Sequence, residues 1–357
     1  MIKPKIGLDW DDVTAPFNSI AIKMANNEYN IEPPLTLEDI ESWENTGRAS
    51  VIKKYYADSR LYEEQSKRIK ESVKKCIYEL MDIADVYFIT AVSLEFMSVR
   101  SKQIMEAFPT LPTDRIILGA AKHLVQFDIV LDDNICNVLN SPAEYPVLMR
   151  KPWNRDMTGL LSVNNMEEFV LLVKHICTTQ VNKPTGIAIP SVIALVGPSG
   201  SGKTQIMEDL LSKYPEIFKR PVSYTTNPNN GWKVYIDEKE FGITEFLEST
   251  RYAGYGYGTK REDIESILSK NQCVIMPLDM CGAIGMKKLF PTEIIYINKG
   301  KMELIRNIVS KTYVDDEEKT LRILSLDAEK KNEAICDYTV STDEEIVNLI
   351  SIGGIRK

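Results

Sequence analysis

Two stretches of the sequence concentrate residue types that handle phosphate. The first is Asp9-Trp10-Asp11-Asp12-Val13-Thr14, directly after the apolar run Lys5–Leu8. A carboxylate at the end of a strand can attack phosphorus; a second one, two residues on, can protonate the leaving oxygen and then activate water. Carboxylates this close repel one another and the phosphate, so the pattern calls for Mg²⁺ to hold the set together. The second stretch is Gly197-Pro198-Ser199-Gly200-Ser201-Gly202-Lys203-Thr204, which satisfies G-x-x-x-x-G-K-[ST]. It lies between the apolar run SVIALV and the helical pattern TQIMEDLLSKY. The backbone there can close N–H groups around phosphate oxygens at a helix N-terminus, Lys203 can reach the β- and γ-phosphates of ATP, and Thr204 can ligate Mg²⁺.

Three later features fit the first stretch. Thr90 ends the run DVYFIT, Lys122 stands in GAAKHL, and Asp132 and Asp133 end FDIVLDD. Together with D-x-D-x-[VT], these resemble the four motifs of the haloacid dehalogenase-like phosphotransferases. The resemblance implies Asp9, Asp11, Thr90 and Lys122 as catalytic residues and Asp9, Asp11, Asp132 and Asp133 as metal ligands. The spacing of DVYFITAVSLEFMSVRSKQIMEAF and RIILGAAKHLVQFDIVLDDN is similar to the 5′(3′)-deoxyribonucleotidase family over residues 1–175. That family hydrolyses nucleoside monophosphates and carries a small helical cap after its first motif. Asp12 stands where the family usually has glycine, and Ala91 where a small hydroxyl residue is common. Trp10, Phe17 and Trp43 could stack on a base, but as single aromatics they are expected in the core or the cap. The two histidines, His123 and His175, are too few for a histidine-based nucleophilic triad.

The segments VSYTTNPNNGWKVYIDEKEF, FLESTRYAGYGYGTKREDI and CVIMPLDMCGAIGMKKL resemble the guanylate kinase family in order and spacing, from about Ser191 to CDYTVSTD. The resemblance implies Ser223, Tyr235 and Tyr257 around the phosphate of an acceptor monophosphate. It places Glu248 and Thr259 at the base-reading position and Asp279 at a strand end facing both nucleotides. The plainer role for Glu248 or Asp279 alone is a solvated or helix-capping carboxylate. Arg306 and Arg322, with Lys311, fall in the mobile lid, where cations neutralise charge on the transferred phosphoryl group. Two departures bear on the acceptor. Asn227 and Asn230 replace arginines that clamp its phosphate, with Lys233, Arg251, Lys260 and Arg261 as candidate substitutes, and Pro277 replaces a second acidic residue.

These residues need parallel strands to present them. Short apolar runs alternate with helical patterns through all 357 residues, the signature of α/β folds. We expect a Rossmann-like haloacid dehalogenase-type domain over residues 1–178, with a helical cap over about 18–75. A linker rich in proline and small residues follows over 179–190, and then a P-loop nucleoside monophosphate kinase-type α/β domain over 191–357. The net charge of −8 runs against a dedicated nucleic-acid binder. Six scattered cysteines without C-x-x-C spacing suit a reducing compartment. No leader or apolar span of about 20 residues is visible, so a cytoplasmic protein without a membrane segment is expected. The sequence is silent on oligomeric state. The composite reading is a bifunctional enzyme acting on nucleoside monophosphates with ATP and Mg²⁺. Two alternatives are a phosphatase–kinase acting on polynucleotide ends and a kinase-like domain kept only as a binding module.

Overall fold

The computed structural model describes residues 3–155, 157, 159–179, 184–228, 233–252, 255–312 and 314–353, with the side chains of 179, 248–252 and 351–353 outside the description. The chain divides into two compact units, Met1–Val173 and Lys174–Lys357. Among the described residues no helix is long and apolar enough to cross a membrane.

In the first unit the buried apolar runs form a six-stranded parallel sheet. Its strands are β1 (Lys5–Leu8), β2 (Asp85–Thr90), β3 (Ile116–Leu118), β4 (Ile129–Asp132), β5 (Tyr145–Met149) and β6 (Ser162–Val163). The order is β3-β2-β1-β4-β5-β6, so the winding direction reverses between β1 and β4. Ligands of open α/β sheets bind outside the carboxyl ends of the strands at such a reversal. Asp9, which follows β1, and Asp132, which ends β4, flank that point. The helices are α1 (Asn18–Tyr29), α2 (Ser59–Gln65), α3 (Glu71–Ile83), α4 (Met97–Ala107), α5 (Ile135–Leu139) and α6 (Met166–Thr179), the last of which runs past the unit's end at Val173.

The polar insertion after β1 folds as α1, 3-10 segments at Leu37–Asp39 and Gly47–Ala57, and α2. It has an apolar cluster of its own, including Ile20, Leu35, Ile52, Tyr55 and Leu61, which also takes in Trp153 from beyond β5. Trp10 is fully buried and packs edge-on against Phe88, 5.3 Å between centroids, so it belongs to the core as expected.

The second unit begins its sheet with β7 (Val192–Val196), then α7 (Lys203–Lys213) and β8 (Phe218–Lys219). Next come β9 (Tyr224–Thr225), β10 (Val234–Tyr235), α8 (Glu238–Ile243), β11 (Glu248–Tyr252) and β12 (Tyr255–Thr259). The remainder is α9 (Arg261–Leu268), β13 (Cys273–Pro277), α10 (Met280–Leu289), β14 (Thr292–Ile297), α11 (Lys301–Val309), α12 (Asp316–Leu324), α13 (Leu326–Lys330), β15 (Tyr338–Val340) and α14 (Asp343–Gly353). A parallel sheet β15-β14-β7-β13-β8 carries the P-loop at the end of its central strand, and β10-β9-β12-β11 forms a second, mixed sheet. Ile193, Leu195, Ile275 and Ile295 are fully buried in the core beneath α7 and α14. Both units are therefore α/β folds of the expected kind.

Candidate active sites

Asp9 is buried just beyond β1, and its Oδ1 lies 2.8 Å from Lys122 Nζ. The same ammonium is 2.7 Å from Asp132 Oδ2. Asp132 is held in turn by the Asn134 N–H at 2.9 Å and the Asn137 amide at 3.0 Å. Asp133 Oδ2 accepts from the Trp153 indole at 3.1 Å, while its Oδ1 is buried and has no hydrogen-bond partner among the described residues. Asp9, Asp132 and Asp133 each offer an oxygen within 4.8 Å of the others.

Burial raises the Asp9 carboxyl to about 7; Lys122 opposes the rise, and Asp132 and Asp11 add to it. Burial likewise lifts Asp133, with Asp132 and Asp9 adding to the rise. Lys122 is pushed up by Asp9 and Asp132 against its own desolvation. One ammonium among three buried carboxylates leaves negative charge over, and the orphaned oxygen of Asp133 has nothing to satisfy it. That donor set fits a hard divalent cation.

Asp11, expected among the ligands, stands apart from this group. Its carboxylate meets Arg100 of α4, Nη1 to Oδ2 at 3.0 Å and Nη2 to Oδ1 at 2.9 Å, and Oδ1 also accepts from Gln65 Nε2 at 2.6 Å. Arg100 is fully buried and donates a further bond to Thr90 Oγ1 at 2.8 Å. Asp12 has φ 56°, the left-handed region that favours glycine, and its carboxylate accepts from the N–H groups of Phe17 and Asn18 to start α1. A cavity of about 370 Å³ opens beside Asp11 and Asp133, walled by Phe17, Trp43, Tyr56 and Tyr62. Phe17 and Trp43 thus line the space, in contrast with the buried Trp10.

In the second unit Gly200 and Gly202 have φ 82° and 87°, which a side chain would strain, and a Cβ on Gly200 would press on Asn307 Cβ and Leu304 O at 3.2 Å. Lys203 lies back over the loop, donating to Gly197 O at 2.6 Å and Pro198 O at 3.1 Å. Burial lowers its ammonium to about 8; Glu329 opposes the fall, and Lys311 and Arg322 deepen it. Ser201 is buried, and its hydroxyl has no partner among the described residues, whereas Thr204 is exposed. Buried Arg322 donates from Nη1 to Ser199 Oγ at 3.0 Å and pairs with Glu318 through Nη2. Arg306 is exposed and turned onto its own helix, Nε to Met302 O at 3.2 Å; its neighbour Asn307 touches the loop instead, at Gly200 O, 2.9 Å.

The expected acceptor residues gather on the mixed sheet. Tyr235 pairs with Thr225, and Thr225 with Tyr257, so the two tyrosines share one row; Ser223 immediately precedes β9. Glu248 pairs with Thr259, the last residue of β12, two positions beyond Tyr257, but the Glu248 side chain lies outside the described residues. Asn230 lies outside them altogether, and so does the side chain of Arg251. Lys233 Nζ sits 4.1 Å above the Tyr257 ring, and Lys260 Nζ 4.4 Å above Tyr224. Asp279 caps α10, its Oδ1 accepting from the Gly282 N–H at 2.7 Å.

Residues 190–350 match the family model of guanylate kinase. The guanylate kinase of Nostoc sp. strain PCC 7120 is 32% identical over 166 residues, 43% of this chain and 81% of that protein. The chain belongs to the guanylate kinase family. Residues 3–177 match the model of the 5′ nucleotidase, deoxy (Pyrimidine), cytosolic type C protein family. Among solved structures, the guanylate kinase of Anaplasma phagocytophilum is similar at 18% identity over 47% of this chain and 86% of that one, with TM-score 0.33. A haloacid dehalogenase-like hydrolase from Burkholderia xenovorans is similar at 9% identity over 48% and 96%, also with TM-score 0.33. By these matches a segment similar to the nucleotidase model precedes a guanylate kinase domain.

Sequence reasoning missed Arg100, Gln65, Asn137, Asn307 and Glu329. Arg100 had a readable signal, because it stands four residues before Ile104 on α4 and eight before Phe108, which caps that helix, in line with these two buried apolar residues. Gln65 reaches Asp11 across 54 positions, a distance no local pattern bridges.

Proposed function

We propose that this guanylate kinase-family chain is a bifunctional nucleotide-metabolising enzyme. Its first unit is a Mg²⁺-dependent (deoxy)nucleoside monophosphate phosphatase working through an aspartyl-phosphate, and its second an ATP-dependent (deoxy)nucleoside monophosphate kinase. The observation that carries the phosphatase reading is the buried Asp9, bound to Lys122 and grouped with Asp132 and Asp133 beside a cavity large enough for a nucleoside. Asp9, Asp132 and Asp133 would hold Mg²⁺, which when bound supplies charge neutralisation for the incoming phosphate.

An oxygen of Asp9 attacks phosphorus while the bond to the nucleoside oxygen breaks, and Asp11 gives that oxygen a proton. Asp11 then takes a proton from water, the hydroxide attacks phosphorus, and the Asp9–phosphorus bond breaks to release phosphate. Arg100 and Gln65 keep the Asp11 carboxylate oriented, and Lys122 and Thr90 steady the phosphoryl oxygens. In the second unit Lys203, Arg322 and the loop N–H groups hold the γ-phosphoryl group while a phosphate oxygen of the monophosphate attacks it and its bond to the β-phosphate oxygen breaks, releasing ADP. Thr204 would complete the Mg²⁺ shell. If both halves used the same monophosphate they would compete for it, one yielding nucleoside and the other diphosphate, so distinct substrates or separate regulation must keep them apart.

The test is mass spectrometry of products after incubating the protein and Mg²⁺ with a panel of ribo- and deoxynucleoside monophosphates, with and without ATP. Nucleosides lost in Asp9→Asn and diphosphates lost in Lys203→Ala support the proposal. If neither product forms from any monophosphate, it fails, and oligonucleotide ends become the next substrates to try.

A further inference from the structure

We infer that Glu329 is a positioning residue of the phosphoryl-donor site, fixing the Ser199 peptide of the P-loop and, through it, the guanidinium of Arg322; this rests on the reading of the second unit as an ATP site. Glu329 lies on α13 and is 1% exposed. A carboxylate tolerates such burial only where its lone pairs are used. Oε2 accepts from the Ser199 N–H at 3.2 Å, and Oε1 accepts from the Ser325 hydroxyl. Ser199 is thereby held from two sides, since its own Oγ accepts from Arg322 Nη1 at 3.0 Å.

Arg322 closes the circuit through Glu318, and Ser325 donates while standing one turn from both Arg322 and Glu329. Two consecutive short helices thus clamp a single loop residue 123 and 130 positions away. The clamp falls on the loop's third residue, ahead of the stretch from Gly200 to Thr204, in which the Ser201 N–H donates to Pro198 O at 3.1 Å. Burial holds the Glu329 carboxyl above its ordinary range, opposed by Ser325, Lys203, Ser199 and Arg322. A carboxylate beside a phosphate site would weaken anion binding if it did nothing else. Here its charge favours the charged form of Lys203, and its bond to the Ser199 N–H holds in place the residue on which Arg322 rests.

The test is calorimetric titration of the full chain with Mg²⁺ and ATP, comparing wild type, Glu329→Gln, Ser199→Ala and the double variant. Each single variant should weaken ATP binding about tenfold, the worth of a hydrogen bond to a charged group. The double should lose no more than either single, because both act on one arrangement. Affinity of Glu329→Gln within twofold of wild type, or losses that multiply in the double, overturns the proposal. Should Glu329→Gln not fold, Glu329→Asp carries the comparison: it keeps the charge, falls one methylene short of Ser199, and must lose affinity equally. Wild-type ATP binding without transfer to any monophosphate would refute the kinase reading alone, and the binding cycle would still decide the role of Glu329.

Discussion

Replacing Arg100 by methionine removes a guanidinium that makes three contacts of 2.8–3.0 Å, two to Asp11 and one to Thr90, from a fully buried position. Methionine keeps most of the volume, so the loss is electrostatic rather than a cavity. Breaking a buried ion pair by deleting one partner costs about 3–5 kcal/mol. Asp11 keeps 24% of its side chain exposed and retains Gln65, so the lower end, about 3 kcal/mol, applies. In a unit of this size that is a fall of roughly 6–12 °C in melting temperature. Because the freed carboxylate also loses its orientation, phosphatase kcat should fall by about two orders of magnitude. Arg100→Lys restores charge without the two-pronged contact and should recover only part of either loss. Calorimetric melting of the full chain, read beside phosphatase and kinase rates, measures each quantity. A variant that melts within 2 °C of wild type and keeps phosphatase kcat within threefold refutes the assigned role of Arg100.

Metal-free protein should lose stability as pH rises from about 4 to 7, because Asp9, raised to about 7, and Asp12, raised to about 6, bind protons more tightly when folded; urea midpoints in EDTA at pH 5 and 7.5 check this, and Mg²⁺ should help more at the higher pH. Asp12→Asn keeps the acceptor for α1 and tolerates the left-handed backbone, so it should stabilise the unit by about 1–2 kcal/mol at pH 7.5 and leave it unchanged at pH 4. With Lys203 near 8 in the empty loop, ATP binding should take up most of a proton at pH 8.5 and about a tenth of one at pH 7, measurable by calorimetry in buffers of different ionisation enthalpy. Asn227→Arg should lower the KM of the acceptor monophosphate about tenfold by restoring a charged clamp, and an unchanged KM would show that Lys233 or Lys260 already fills that role.

The candidate residues at strand ends were legible because the strand and the polar group are neighbours in sequence. Asp9 follows β1, Thr90 ends β2, Asp132 ends β4 and the P-loop follows β7, so one apolar run locates each. The supports were not legible for the opposite reason. Arg100, Gln65 and Glu329 act on partners 89, 54 and 130 positions away, and only the tertiary fold sets those distances. Arg306 and Asn307 show the remaining difficulty. They are adjacent on α11, and the helix's rotation alone decides which one meets Gly200. The lid pattern names a segment and does not fix that rotation.

Trp153 belongs at once to the apolar cluster of the cap and, through its indole N–H, to Asp133. One side chain therefore joins the wall that would meet a nucleoside to a carboxylate that would meet a cation. Two ligands biasing a shared element are thermodynamically linked, and the linkage is reciprocal. Whatever factor a nucleoside in the cavity imposes on cation affinity, the cation must impose on the nucleoside. A metal-binding titration with each nucleoside present would accordingly report that coupling factor base by base, without any turnover taking place.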